Sequence, residues 1–310
     1  MHWYTYLIII FALLLVVCFV MGFIIWKIFI PTKAPETYRN KPTDDPVTIQ
    51  MREFEEKVER NLKYMNLEDC WIKSHDGLNL HAYYREAPIK TNKVIISVHG
   101  WHGEALRTSS QFSHFLVDFT YNVLFVDLRS YGQSEGRYTT YGIKDSEDIM
   151  EWIDYIVDRF QGDVSIALDG ISMGGNTVLT VADKVPMQVK CIINDCGFTN
   201  ASAEFKECLK SIKVPVFFLA FANIINMIVN GWSFSKTSAI KSVEGSKVPI
   251  LFIHGAKDTF VPTYMVKQLY NACTSEKYIH IFENAAHARS YFLNKEAYKK
   301  IVLDFLAKEL

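Results

Sequence analysis

The chain has 310 residues, 49% of them hydrophobic, with 33 basic against 34 acidic side chains and a formal net charge of −1. So even a balance excludes the basic footprint of a nucleic-acid-binding protein. Six cysteines (Cys18, Cys70, Cys191, Cys196, Cys208, Cys273) form no CxxC pair and no metal-like spacing, so they read as free thiols and not as a disulfide framework.

The first element is an uncharged run of twenty residues from Leu7 to Trp26, LIIIFALLLVVCFVMGFIIW. As a helix it is about 30 Å long, the thickness of a bilayer's hydrocarbon core. Trp3, Tyr4, Tyr6 and Trp26 lie at its two ends, where amphipathic rings prefer the interface. A cleaved signal peptide should have a basic n-region and a shorter apolar core, and neither is present. Residues 1–30 are therefore expected to be a retained single-span anchor, making the membrane a partner. Lys27, Lys33, Arg39 and Lys41 follow the span while only His2 and the terminal amine precede it, so the positive-inside rule keeps the remainder in the cytoplasm. Residues 31–46 carry Pro31, Pro35, Pro42 and Pro46 among polar residues, as a stiff, extended linker would.

Residues 47–310 suffice for one α/β domain. Asp45-Pro46 opens a helix to about Asn66, an N-cap followed by proline at the first helical position. Its apolar stripe of Met51, Phe54, Val58, Leu62 and Met65 predicts that residues 47–66 dock on the globular body. CWIKSHDGLNLHAYYRE reads as a hairpin turned at Asp76-Gly77. Thereafter apolar strands (94–98, 123–128, 164–168, 189–194, 249–254, 278–282) alternate with helices (109–119, 143–160, 174–184, 263–273, 291–308). That rhythm predicts a doubly wound, mostly parallel α/β sheet with an antiparallel hairpin at its start. A long insertion, about 198–247, breaks it. Its centre, VPVFFLAFANIINMIV, is interrupted by Asn223 and Asn226 and short for a bilayer, so a helical cap over the sheet's carboxyl edge is expected.

GISMG, residues 170–174, stands between a strand and a helix, which is the setting of a nucleophile elbow. Such a turn exposes the Ser172 hydroxyl at the carboxyl edge of the sheet. A serine needs a base and an orienting acid, here expected in the order Ser, acid, His. Asp258, in HGAKDTFVP, and His287, in ENAAHARS, each follow a strand and meet that order. Asp195, after the strand at 189–194, is the weaker alternative for the acid. The turn after His99-Gly100 is expected to offer the Trp101 N–H, and the helix after the elbow the Met173 N–H, as oxyanion donors. His99 and His102 lack the helical spacing of zinc motifs, so no metal site is assigned.

From about residue 70 onward the chain resembles the α/β-hydrolase superfamily. The H-G-x turn at 99–101, DLRSYGQSEG at 127–136, GISMGG, HGAKDTFVP and AAHA carry the resemblance. The anchor, hairpin and domain together are similar to bacterial anchored hydrolases of the prolyl-oligopeptidase-like and serine-aminopeptidase-like groups. That resemblance implies a Ser172–Asp258–His287 triad, oxyanion donors at Trp101 and Met173, and no cofactor. It also implies a domain facing outward, against the charge and cysteine arguments, so sidedness stays open. The expected activity is hydrolysis of a small-molecule acyl compound, an ester first, with thioester, amide and acyl transfer using the same residues. The apolar insertion nominates Phe198 and Phe221 as substrate contacts. The rival from another class is a tethered binding protein that has lost turnover. The sequence does not set the oligomeric state.

Overall fold

Near-continuous β-branched runs form the middle of one sheet. The strands are β1 (Leu67–Lys73), β2 (Asn79–Arg85), β3 (Lys93–Val98), β4 (Asn122–Val126), β5 (Ser165–Ile171), β6 (Val189–Asp195), β7 (Ile250–Gly255) and β8 (Lys277–Phe282). They lie in the order β1-β2-β4-β3-β5-β6-β7-β8. β1, β2 and β4 pair antiparallel, and every other neighbouring pair is parallel. This computed structural model describes residues 2–31, 42–109 and 121–310. All but the first residue of the helix expected at 109–119, and most of the linker expected at 31–46, lie outside the described residues.

Alternation along each strand divides the core between the two faces of the sheet. Val94, Ile96 and Val98 of β3 pack with Ile149, Trp152, Ile153 and Ile156 of helix Asp145–Arg159, whereas Ile95 packs with Tyr298, Val302 and Phe305 near the C-terminus. The helices in chain order are α1 (Trp3–Phe29), α2 (Pro46–Lys63), α3 (Asp145–Arg159), α4 (Met173–Thr180), α5 (Ala201–Ser211), α6 (Phe218–Asn230), α7 (Ala239–Glu244), α8 (Tyr264–Ala272), α9 (Ser290–Leu293) and α10 (Lys295–Glu309). The single C-terminal helix expected from Tyr291 is thus two. Asn294 leaves helical geometry (φ −140°, ψ 42°), its side chain donating to Ser290 O and Asn284 Oδ1. α4 stops at Thr180, four residues before the expected end at Lys184; residues 181–184 continue as turns, with Lys184 N donating to Val181 O at 2.8 Å.

Two features position the site. α2 buries Val58 and Leu62 against Ala105, Leu106, Val123 and Phe125. Its N-cap Asp45 accepts from Arg289 Nη2 at 2.5 Å, and Phe54 packs on Tyr291 and Phe292, so α2 braces the loop that carries His287. α1, second, is not an appendage. Ile25, Trp26, Phe29 and Ile30 belong to the main core. Thr139 N donates to Ile30 O at 2.8 Å, and the Tyr141 hydroxyl donates to Phe29 O at 2.7 Å. A boundary at residue 30 therefore runs through packed core, because the last turns of the apolar helix supply it.

The insertion differs from the expected cap in one respect. α5 lies over the carboxyl edge of the sheet, but the apolar α6 lies along α1, where Phe221 packs on Phe19. Both asparagines that interrupt α6 face inward: Asn226 bonds Trp26 Nε1 and Trp232 O, and Asn223 accepts from Phe234 N.

His81 of β2 is fully buried between Asp127 (2.8 Å) and Asp69 (2.9 Å). Burial opposes its charge, but hydrogen bonds to the two carboxylates outweigh this and raise its pKa. A raised pKa adds stability in full below about pH 6.5, which is lost as pH rises through the folded-state value. The Tm difference between the wild type and His81→Gln should therefore be largest in mild acid and shrink toward alkaline pH.

Candidate active site

Ser172 occupies the turn between β5 and α4 with φ +55° and ψ −115°, a conformation side chains rarely adopt. Its N–H donates to Asp195 O at 2.7 Å, and its carbonyl accepts from Asn176 N at 2.9 Å. The turn closes so tightly that a Cβ on Gly174 would sit 2.1 Å from the Val98 carbonyl oxygen. β5 lies between β3 and β6, where the chain order of the sheet reverses direction, so the hydroxyl stands at the topological switch point where open α/β sheets bind ligands.

The loops after β7 and β8 reach the same edge. Ser172 Oγ lies 2.9 Å from His287 Nε2, and His287 Nδ1 lies 2.8 Å from Asp258 Oδ2. Asp258 is buried, its Oδ1 accepting from the Phe260 and Val261 amides at 2.9 Å each. Its other oxygen also faces His254 Nε2 at 3.3 Å. Burial would raise its pKa, but His287 and His254 overcome that and hold it at about 2. An ionised carboxylate at Nδ1 selects the tautomer with the proton there, leaving the Nε2 lone pair for the serine proton. Hydroxyl, imidazole and carboxylate in this line can pass a proton and stabilise the imidazolium that results.

Asp195 does not compete for the imidazole. It is buried, bonded to the Tyr298 hydroxyl at 2.9 Å, and pushed up to about 7 by that burial. The turn after β3 runs against Ser172: a Cβ on Gly100 would lie 3.9 Å from its Oγ. Met173 opens α4, so its N–H is among the first-turn donors without an intrahelical acceptor. Among the described residues, Cys196, Asp258 and His287 have donor atoms close enough to share a cation, within 4.8 Å of one another. The carboxylate and imidazole are already paired, however, and burial keeps the Cys196 thiol protonated.

Beside Ser172 is a narrow apolar cleft, which Trp101, Met173 and Phe198 help to line. Phe221 is not in it; its side chain is committed to α1. Six wall residues escape a motif-based reading: Phe29, Tyr141, Glu204, Phe205, Cys208 and Phe260. Phe260 sits in the quoted acid loop and could have been nominated from it. Phe29 ends a run that reads as membrane, and nothing local marks Glu204 or Phe205. Glu204 is buried, which pushes its pKa up to about 8.

The sequence pattern of the prolyl oligopeptidase family, Peptidase_S9, matches residues 109–310. The chain belongs to the prolyl oligopeptidase family. Membership makes it a serine hydrolase of the α/β-hydrolase fold. Among similar proteins, the uncharacterised protein YqkD of Bacillus subtilis is 28% identical over 86% of this chain and 88% of its own. The uncharacterised membrane protein YNL320W of Saccharomyces cerevisiae is 24% identical over 63% of this chain and 64% of its own. The Pyrococcus furiosus esterase Pf2001 has a similar fold, with a TM-score of 0.66 and 22% identity over 81% of this chain and 93% of that one.

Proposed function

We propose that this prolyl oligopeptidase family member is a membrane-anchored esterase in which Ser172 is the nucleophile, His287 the general base and acid, and Asp258 its orienting carboxylate. The observation that carries the reading is the unbroken line of 2.9 and 2.8 Å contacts from hydroxyl to imidazole to carboxylate. Ser172 Oγ bonds to the ester carbonyl carbon while His287 Nε2 takes its proton, and the Trp101 and Met173 amides receive the oxyanion. The C–O bond to the alcohol then breaks as the imidazolium returns the proton to it. Water, deprotonated by the same imidazole, attacks the acyl-enzyme and releases the acid and the free serine. The narrow, largely aromatic lining of the cleft favours an apolar acyl group.

Retention of α1 is supported by its place in the core, since cleavage after it would remove Trp26, Phe29 and Ile30 from the domain. The helix is 27 residues long with a mean hydropathy of 3.4 in its most apolar window, and the yeast relative's description as a membrane protein points the same way. The family itself favours an amide as second reading, and matched p-nitrophenyl esters and anilides would rank the two bonds.

Fluorophosphonate labelling of the detergent-solubilised full chain tests the nucleophile. The wild type should label and Ser172→Ala should not. Labelling that persists in the variant would assign another serine, and a folded, unlabelled wild type would favour the binding-protein reading.

A further inference from the structure

α1 and α6 pack as helices pack inside a bilayer. A Cβ on Gly22 would lie 2.6 Å from Phe221 Cβ and 2.9 Å from Ala222 N, so only glycine lets the backbones approach this closely. Contacts advance together along both helices, Phe19 with Phe221, Gly22 with Ala222, Trp26 with Asn226, so the helices run parallel. The seven residues from Phe19 to Trp26 amount to about 10 Å of rise. α6 therefore starts about that far inside the span and runs back toward its edge beside α1.

The outer face of α6 is inverted relative to a water-facing helix. Phe217, Ile224, Met227, Ile228 and Val229 are exposed, and Phe218–Asn230 contains no charged residue. Its polar atoms point the other way: Asn226 is fully buried, its oxygen accepting from Trp26 Nε1 and its nitrogen donating to Trp232 O. Polar inside and apolar outside suits lipid, and the surface is continuous with the lipid-facing side of α1. Phe29, one helical turn beyond Trp26, stacks on Phe205 at 4.7 Å and forms a wall of the cleft beside Ser172. The cleft thus lies where α1 leaves the hydrocarbon.

We propose that α6 lies in the bilayer beside α1 and that the Ser172 cleft takes the acyl group of an ester resident in that leaflet. The substrate half of this statement rests on the esterase reading; the position of α6 does not.

The test uses the full chain in phosphatidylcholine vesicles. Ile224→Asp and Ile228→Asp should keep turnover of water-soluble p-nitrophenyl acetate within about twofold. Because a carboxylate is costly in lipid, they should lower turnover of 1-oleoylglycerol in the same vesicles by about tenfold or more. A nitroxide on Ile228→Cys should be relaxed more by oxygen than by a water-soluble nickel chelate. Preferential relaxation by nickel, or shielding from both as under a second protein, would overturn the placement of α6. Equal losses on the two esters, or no loss on either, would overturn delivery from the leaflet. A wild type inactive on both esters would overturn the esterase reading and the substrate assignment with it, while the nitroxide still decides where α6 lies.

Discussion

Ser172→Ala and His287→Ala should each lower kcat on a soluble ester about 10⁶-fold, and the double variant should lose no more than either single. The reason is geometric. With Ser172 Oγ 2.9 Å from His287 Nε2, the hydroxyl becomes a nucleophile only as the imidazole takes its proton, so removing either partner removes the same event. Additive losses would mean the two residues act separately and would sink the relay. Asp258→Asn should cost about 10⁴-fold, because an amide at that position favours the wrong imidazole tautomer. Asp258 has its pKa held at about 2, burial being outweighed by His287 and His254. A depressed pKa adds stability above the ordinary carboxylate range that is lost only as pH falls through the folded value. The carboxylate therefore stays charged throughout the working range, and it should contribute nothing to the acid limb of the pH–rate profile. Steady-state kinetics from pH 4 to 9 on the four variants and the wild type would check both points.

A chain that begins at Pro31 should fail to fold, whereas one that begins at Met21 should unfold cooperatively. The first lacks Ile25, Trp26, Phe29 and Ile30, all buried in the main core. Truncating one large aromatic in a core costs about 3–5 kcal/mol, and whole domains are stable by only about 5–15 kcal/mol. Loss of Trp26 also removes the indole donor from the buried Asn226 oxygen, leaving it only the Asn230 amide at 2.7 Å. Urea unfolding in mild detergent, followed by tryptophan fluorescence, should show a cooperative transition for the chain from Met21 and none for the chain from Pro31. Equal stability would show that the last turns of α1 lean on the domain without supporting it.

Much of the site is legible in the sequence for a local reason. Ser172, Asp258 and His287 each follow a buried strand of a mostly parallel sheet, and parallel strands all end at one edge. Strand, turn and order thus suffice to bring 172, 258 and 287 together before any coordinate is known. The glycines of the elbow carry their own explanation in the 2.1 Å that separates a would-be Cβ at 174 from the Val98 oxygen. The choice between Asp258 and Asp195 is less local. Both lie at the right edge, and the pairing of Asp195 with Tyr298, 103 residues away, is what removes it from the imidazole.

By itself the sequence determines the strand–helix alternation, the edge at which the reactive side chains gather and the uncharged run that can cross a bilayer. Each of these depends on residues near one another in the chain. Only the tertiary structure decides what the last turns of that run pack against and which phenylalanines meet the cleft. Phe221 looks like a substrate contact in a linear reading, yet it packs on Phe19; Phe29 looks like lipid anchor, yet it walls the cleft. An apolar residue has the same periodicity whether it faces lipid, core or ligand, and only its long-range neighbours, here about 200 positions away across Trp26 and Asn226, distinguish the three.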